Sequence, residues 1–172
     1  HPDNAAPAIW GGATVAWMEG ALPHATPVDM ADGLETAVLV PGSVLPTKQA
    51  RSVLPAQVPH ADAAFNVGRA ALWVSALAGQ NEHLFAATED RLHQNYRAEV
   101  MPAAMAMLKH LRDQGLAAVV SGAGPSVLVL GRNLAAEGLD EGMPQWARGI
   151  GGENWRVVHS AKPVQGATTR RV

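Results

Sequence analysis

Cysteine is absent from the 172 residues, which excludes disulfide bridges and thiolate metal sites and agrees with a reducing compartment. Charge is sparse: only 16% of residues are charged, and the formal net charge is -2. A chain so nearly neutral has no electrostatic footprint for nucleic acid or for an anionic membrane. Its basic residues are scattered apart from Arg170-Arg171 near the end, a pair that reads as a solvated tail. No apolar run reaches the roughly 18 residues that a membrane-spanning helix needs. Internal repeats and low-complexity tracts are missing as well. These absences lead to the expectation of a cytoplasmic protein whose partners include neither nucleic acid nor membrane.

What is present supports a packed core. Apolar residues make up 48% of the chain, enough for one ordinary domain or one domain plus a piece of another. The run Ala5 to Trp10, ended by Gly11-Gly12, predicts a short helix. Ala13 to Glu19 suits a strand, and residues 20–33, with Gly, Pro, His and Asp close together, read as a loop and domain junction. Thr36 to Val40 predicts a buried strand, and Thr47 onward a helical turn after Pro46. Apolar spacing then predicts a long helix over 61–78 with Phe65, Ala70, Leu72, Trp73, Ala76 and Leu77 on its inner face and Gly79 at its end. A further helix is expected over 101–114, with Met101, Met105, Leu108 and Leu111 inward and Lys109, Arg112 and Asp113 outward. Two strands, 116–120 and 126–130, flank a small-residue turn. The tail predicts a helical stretch over 134–148 and a last strand over 155–159. The order implies an α+β fold, with helices on one face of a mainly antiparallel sheet in a ferredoxin-like arrangement.

Four groups carry possible chemistry, and each has a plainer competitor. Asp3-Asn4 offers a carboxylate and an amide before a helix, and is equally good capping material. Thr47-Lys48-x-x-Arg51 sets a hydroxyl and two cations within one turn, suited to an anion or to a solvated helix face. The dense polar run Glu89 to Arg97 suits a cleft or a linker, with His93 a weak candidate base. Ser121-Gly122-Ala123-Gly124-Pro125-Ser126 suits an anion-binding nest or an ordinary turn between strands. It is neither a P-loop nor a dinucleotide fingerprint.

Together, in this order, the groups resemble the homoserine kinases of the GHMP kinase superfamily, of an actinobacterial type. HPDNAAPAIWGG resembles the family's HPDN-x-x-PA-x-x-GG stretch. LPTKQARSVLP resembles its STK-x-AR-x-x-LP segment, with Pro46 where Ser is usual. ATEDRLHQNYR and SGAGPSVLVL follow, so the resemblance runs to about residue 131. It implies a ferredoxin-like C-terminal domain over 33–172, with residues 1–32 ending a ribosomal-protein-S5-like N-terminal domain. It also implies transfer of the γ-phosphoryl group of ATP, with Mg²⁺, to the side-chain hydroxyl of L-homoserine in threonine biosynthesis.

Carried over residue by residue, the resemblance puts Asn4 at the substrate hydroxyl as the catalytic contact, with Asp3 beside it. Thr47, Arg51 and Arg97 would hold the substrate carboxylate, and Gly122, Ala123 and Gly124 would lie beside the nucleotide phosphates. It supplies no metal ligand within this sequence. The family's PxxxGLGSSAA phosphate loop lies upstream of HPDN and does not occur here, so the expectation is a partial chain that binds ATP weakly and does not turn over. The resemblance leaves room for a homodimer. Two rival readings stay open: a non-enzymatic ferredoxin-like module that binds an amino acid, and a GHMP kinase for another substrate such as mevalonate.

Overall fold

Apolar alternation builds two antiparallel sheets among residues 2–168, the residues that the computed structural model describes. His1 and the Arg170-Arg171 pair lie outside the described residues. The first sheet is a hairpin of β1 (Ala13–Glu19) and β2 (Leu22–Val28). The second takes β3 (Glu35–Pro41), β4 (Ala117–Val120), β5 (Val127–Gly131) and β6 (Trp155–Ser160) in the order β4-β5-β3-β6. Every pairing in it is antiparallel, so the ferredoxin-like order expected from the sequence is the observed one.

Among the described residues five α-helices accompany these strands: α1 (Ala5–Trp10), α2 (Thr47–Ser52), α3 (His60–Leu77), α4 (Leu84–Ala87) and α5 (Pro102–Asp113). The main core lies between one sheet face and α5. Ala37, Leu39, Val127, Val129 and Val157 meet Met107, Leu108 and Leu111 there, closed by Leu134, Leu139 and Trp155. A second cluster uses the alternate strand residues Ala117 and Leu130 with Ala76, Leu77, Leu84 and Ala87. Apolar side chains on both sides of β4 and β5 thus place helices on both faces of the sheet, where the sequence suggested one.

Three further departures have local causes. Residues 22–28, expected as loop, form β2. Pro23 and Pro27 oppose Met18 and Thr14; lying four apart in a two-stranded ribbon, both prolines take positions whose missing N–H would point away from β1. The stretch 134–148 contains no α-helix: Gly138 (φ 76°) and Gly142 (φ 141°) interrupt it, and only a 3-10 turn, Gln145–Ala147, forms. Along α3 only Ala76 and Leu77 are buried, while Ala70 is exposed. Gly79 does follow that helix, as expected, and Gln80 N–H donates to Ser75 O (3.2 Å) in a closing turn.

The tail after β6 crosses back over α1. Gly12 N–H donates to Val164 O (3.0 Å) and Ala167 N–H to Ile9 O (3.0 Å). Gly11 and Gly166 allow this approach, because a Cβ on either would collide with backbone of the other segment. The crossing fixes the helix that Asp3 and Asn4 precede.

Candidate functional site

The eight residues singled out in the sequence lie on loops or element ends, and the fold brings them around one cavity of about 740 Å³. Asp3 and Asn4 enter from the start of α1, Thr47 and Arg51 from α2, and Arg97 from the segment before α5. Gly122, Ala123 and Gly124 enter from the β4–β5 turn. Lys48, grouped with Thr47 in the sequence, does not line this cavity. His93 does, with its side chain about half exposed (52%).

Asn4 occupies the N-cap position of α1, yet its side chain makes no capping hydrogen bond. Capping therefore does not account for its amide. Its backbone N–H donates to Asp3 Oδ1 (3.1 Å).

The two arginines differ in kind. Arg51 is exposed, and its side chain makes no hydrogen bond or ion pair with the described residues. Arg97 is only 7% exposed; its Nε donates to Ala50 O (3.0 Å) and its Nη1 to Gly122 O (3.2 Å). Burial draws its guanidinium below the ordinary range, the Asp90 carboxylate opposes that, and the Arg51 cation adds to it. Two cations that repel across one cavity are a natural receptor for a shared carboxylate, and a guanidinium stays charged at neutral pH.

The cavity lining also includes the Asp90 carboxylate, from the polar run 89–97. Asp90 Oδ2 accepts the N–H groups of His93 (2.8 Å) and Gln94 (2.6 Å), while Oδ1 accepts Leu92 N–H (3.1 Å) and Asn66 Nδ2 (2.8 Å). The His93 ring Nδ1 lies 3.0 Å from the same Oδ1. Burial works to raise the Asp90 carboxyl, but these bonds outweigh it and hold the group well below the usual carboxylate range. The local signal for this role is an Asp just before a chain reversal, where its carboxylate caps the following N–H groups. Gln94 is 7% exposed, and its Oε1 accepts Val120 N–H (2.8 Å) at the end of β4.

Arg112, expected outward, is also turned inward. It donates to Thr88 Oγ1 (2.8 Å), Ala118 O (3.0 Å) and Phe85 O (3.1 Å), tying α5 to α4 and β4. An aliphatic stem with a polar head allows this at a position that looks solvent-facing by periodicity.

The glycine turn is closed by Ser121 N–H to Ser126 O (2.8 Å) and Gly124 N–H to Ser121 O (3.0 Å). Gly122 and Gly124 have φ of 59° and 84°. A Cβ on Gly124 would sit 2.7 Å from Met101 Sδ, whereas one on Gly122 would meet nothing within 4 Å. Gly122 thus presents open backbone to the cavity, which suits close approach of an anionic group. Among the described residues no group of three His, Asp or Glu side chains could hold a metal ion. No helix of the described residues is long and apolar enough to cross a membrane.

Comparison with known proteins puts names beside this geometry. Residues 70–143 match the family described as "GHMP kinases C terminal". The homoserine kinase of Streptomyces avermitilis is 45% identical over 98% of this chain and 52% of its own length. Those of Clavibacter michiganensis subsp. michiganensis and Leifsonia xyli subsp. xyli are 46% and 47% identical over 100% of this chain, and 54% and 52% of their own lengths. The chain spans about half the length of the curated relatives it matches. The crystal structure of homoserine kinase from Cytophaga hutchinsonii superposes with a TM-score of 0.81 over 96% of this chain and 53% of its own, at 24% identity, a likeness of fold.

Proposed function

For a chain that carries a GHMP kinase C-terminal domain across residues 70–143, we propose service in a homoserine kinase, which transfers the γ-phosphoryl group of ATP to the side-chain hydroxyl of L-homoserine. The observation that carries the reading is the convergence of Asp3, Asn4, Thr47, Arg51, Arg97 and the glycine turn on one cavity. The exposed Arg51 and the remaining donors of Arg97 grip the substrate carboxylate, helped by the Thr47 hydroxyl. Asn4, with its amide uncommitted, receives the hydroxyl, and Asp3 faces the amino group. The Gly122–Gly124 backbone lies beside the phosphates. In the reaction the hydroxyl oxygen bonds to Pγ as its proton passes to an oxygen of the transferred phosphoryl group, the bond from Pγ to the bridging oxygen breaks, and ADP leaves. Such a transfer depends chiefly on positioning and charge neutralisation.

On this reading residues 1–32 end the N-terminal ATP-binding domain and 33–172 form the ferredoxin-like C-terminal domain, with the cavity drawing on both. The protein works in the cytoplasm, in threonine biosynthesis, with Mg²⁺ accompanying ATP. The glycine turn, held by Arg97 at Gly122 O, favours a kinase over a module that only binds an amino acid, which has no use for a phosphate-facing backbone.

The test is a coupled ADP-release assay with ATP, Mg²⁺ and L-homoserine, on this chain and on the protein expressed from its full reading frame. Homoserine-dependent turnover by the latter is the expected result. Turnover with mevalonate and none with homoserine would remove the substrate assignment.

A further inference from the structure

The segment from Asp90 to Arg97 touches both ends of the cavity. Asp90 binds the backbone of 92–94 and reaches Asn66 on α3. That folded segment sends out two arms. Gln94 Oε1 holds Val120 N–H, one residue before the glycine turn. Arg97 holds Gly122 O within that turn and, through Nε, Ala50 O, one residue before Arg51. Arg97 is in turn anchored to the segment, its N–H donating to His93 O (3.1 Å) and Gln94 O (3.2 Å). The carboxylate-gripping end and the phosphate-facing end therefore share one support.

We infer that Asp90 and Gln94 are positioning residues that set the two substrate ends of the cavity in register, so that loosening either one weakens amino-acid and nucleotide binding together. Both line the cavity, but their side-chain oxygens are committed to backbone N–H groups. Asp90 works through the backbone of 92–94 and so through Arg97, and Gln94 works through Val120 and the turn. The inference rests on the homoserine kinase reading for its substrates, while its structural half stands apart from that reading.

A Gln94→Met variant keeps length and volume but removes the acceptor for Val120 N–H. Gln94→Glu keeps an acceptor oxygen in the same place. Asp90→Asn keeps the shape but points an NH₂ group at N–H donors that need an acceptor. In the protein expressed from its full reading frame, Gln94→Met and Asp90→Asn are expected to raise KM for homoserine and for ATP in parallel. The rise is about tenfold, equivalent to one net hydrogen bond of about 1.4 kcal/mol. Gln94→Glu is expected to stay within about twofold of the parent.

A merely structural role would lower kcat through loss of active protein and leave both KM values unchanged. That result, or a rise in one KM alone, overturns the inference. Hydrogen exchange on this chain supplies a readout free of activity: Gln94→Met should speed exchange in 121–124 and in 48–51 while β3 and β5 stay protected. Unchanged exchange at 48–51 refutes the coupling whatever the substrate proves to be. If Gln94→Met does not fold, Asp90→Asn is read by the same two measurements. Absence of homoserine turnover in the parent alongside the expected exchange pattern would sink the functional reading and leave the shared support standing.

Discussion

Replacing each cavity arginine by Met separates gripping from holding. Arg97→Met strips hydrogen bonds from the carbonyls of Ala50 and Gly122, both supplied by a buried cation. Bonds to a charged donor contribute about 1.5–3 kcal/mol each. Water entry and relaxation recover part of that, leaving a net loss of about 3 kcal/mol. For a chain of this size that lowers Tm by about 6–12 °C. Arg51 has no such duty: its side chain is exposed and bonds to none of the described residues, so Arg51→Met stays within about 0.5 kcal/mol of the parent. Its loss shows in binding instead. A guanidinium–carboxylate contact of about 2–3 kcal/mol corresponds to a rise of roughly 30- to 150-fold in KM for homoserine. Thermal melts and steady-state kinetics on the protein from its full reading frame measure both quantities. Equal falls in Tm for the two variants, or a KM for Arg51→Met within about threefold of the parent, would refute the division of labour.

Gly124→Ala places a methyl against Met101 Sδ in a left-handed backbone position and should cost about 2–4 kcal/mol. Gly122→Ala, equally left-handed but with open space around it, should cost about 1–2 kcal/mol; urea midpoints that coincide for the two variants would show that packing is not what demands glycine at 124. Asp90 is held ionised in the fold, so its contribution is complete above the unfolded carboxylate pKa of about 3.9 and is lost as pH falls further. The stability gap between the parent and Asp90→Asn should therefore be constant from about pH 5 to 7 and close below about pH 4; a gap that changes between pH 5 and 7 would assign the titration to another group.

Much of this protein is written locally in its sequence. The helices 5–10, 47–52, 60–77 and 102–113 and the strands at 13–19, 35–41, 117–120, 127–131 and 155–160 follow from apolar period, glycine stops and proline starts, all of which act over a few residues. The groups that line the cavity stand out for the same reason: Asp3-Asn4, Thr47 to Arg51, the polar run 89–97 and the glycine turn are each short local motifs, though each alone also suits a plain structural role. What one strand needs from its partner is not local. β2 exists because β1 supplies a ribbon edge that tolerates Pro23 and Pro27, and the 134–148 stretch is irregular because Leu134 and Leu139 plug the core between glycine breaks. Arg112 points inward because Phe85, Thr88 and Ala118 offer oxygens from three other places in the chain. The same holds within the site. A buried Arg97 and an exposed Arg51 are one residue type in the sequence. Only tertiary structure, by placing the carbonyls of Ala50 and Gly122 around one of them, buries that guanidinium among acceptors and leaves the other's side chain exposed.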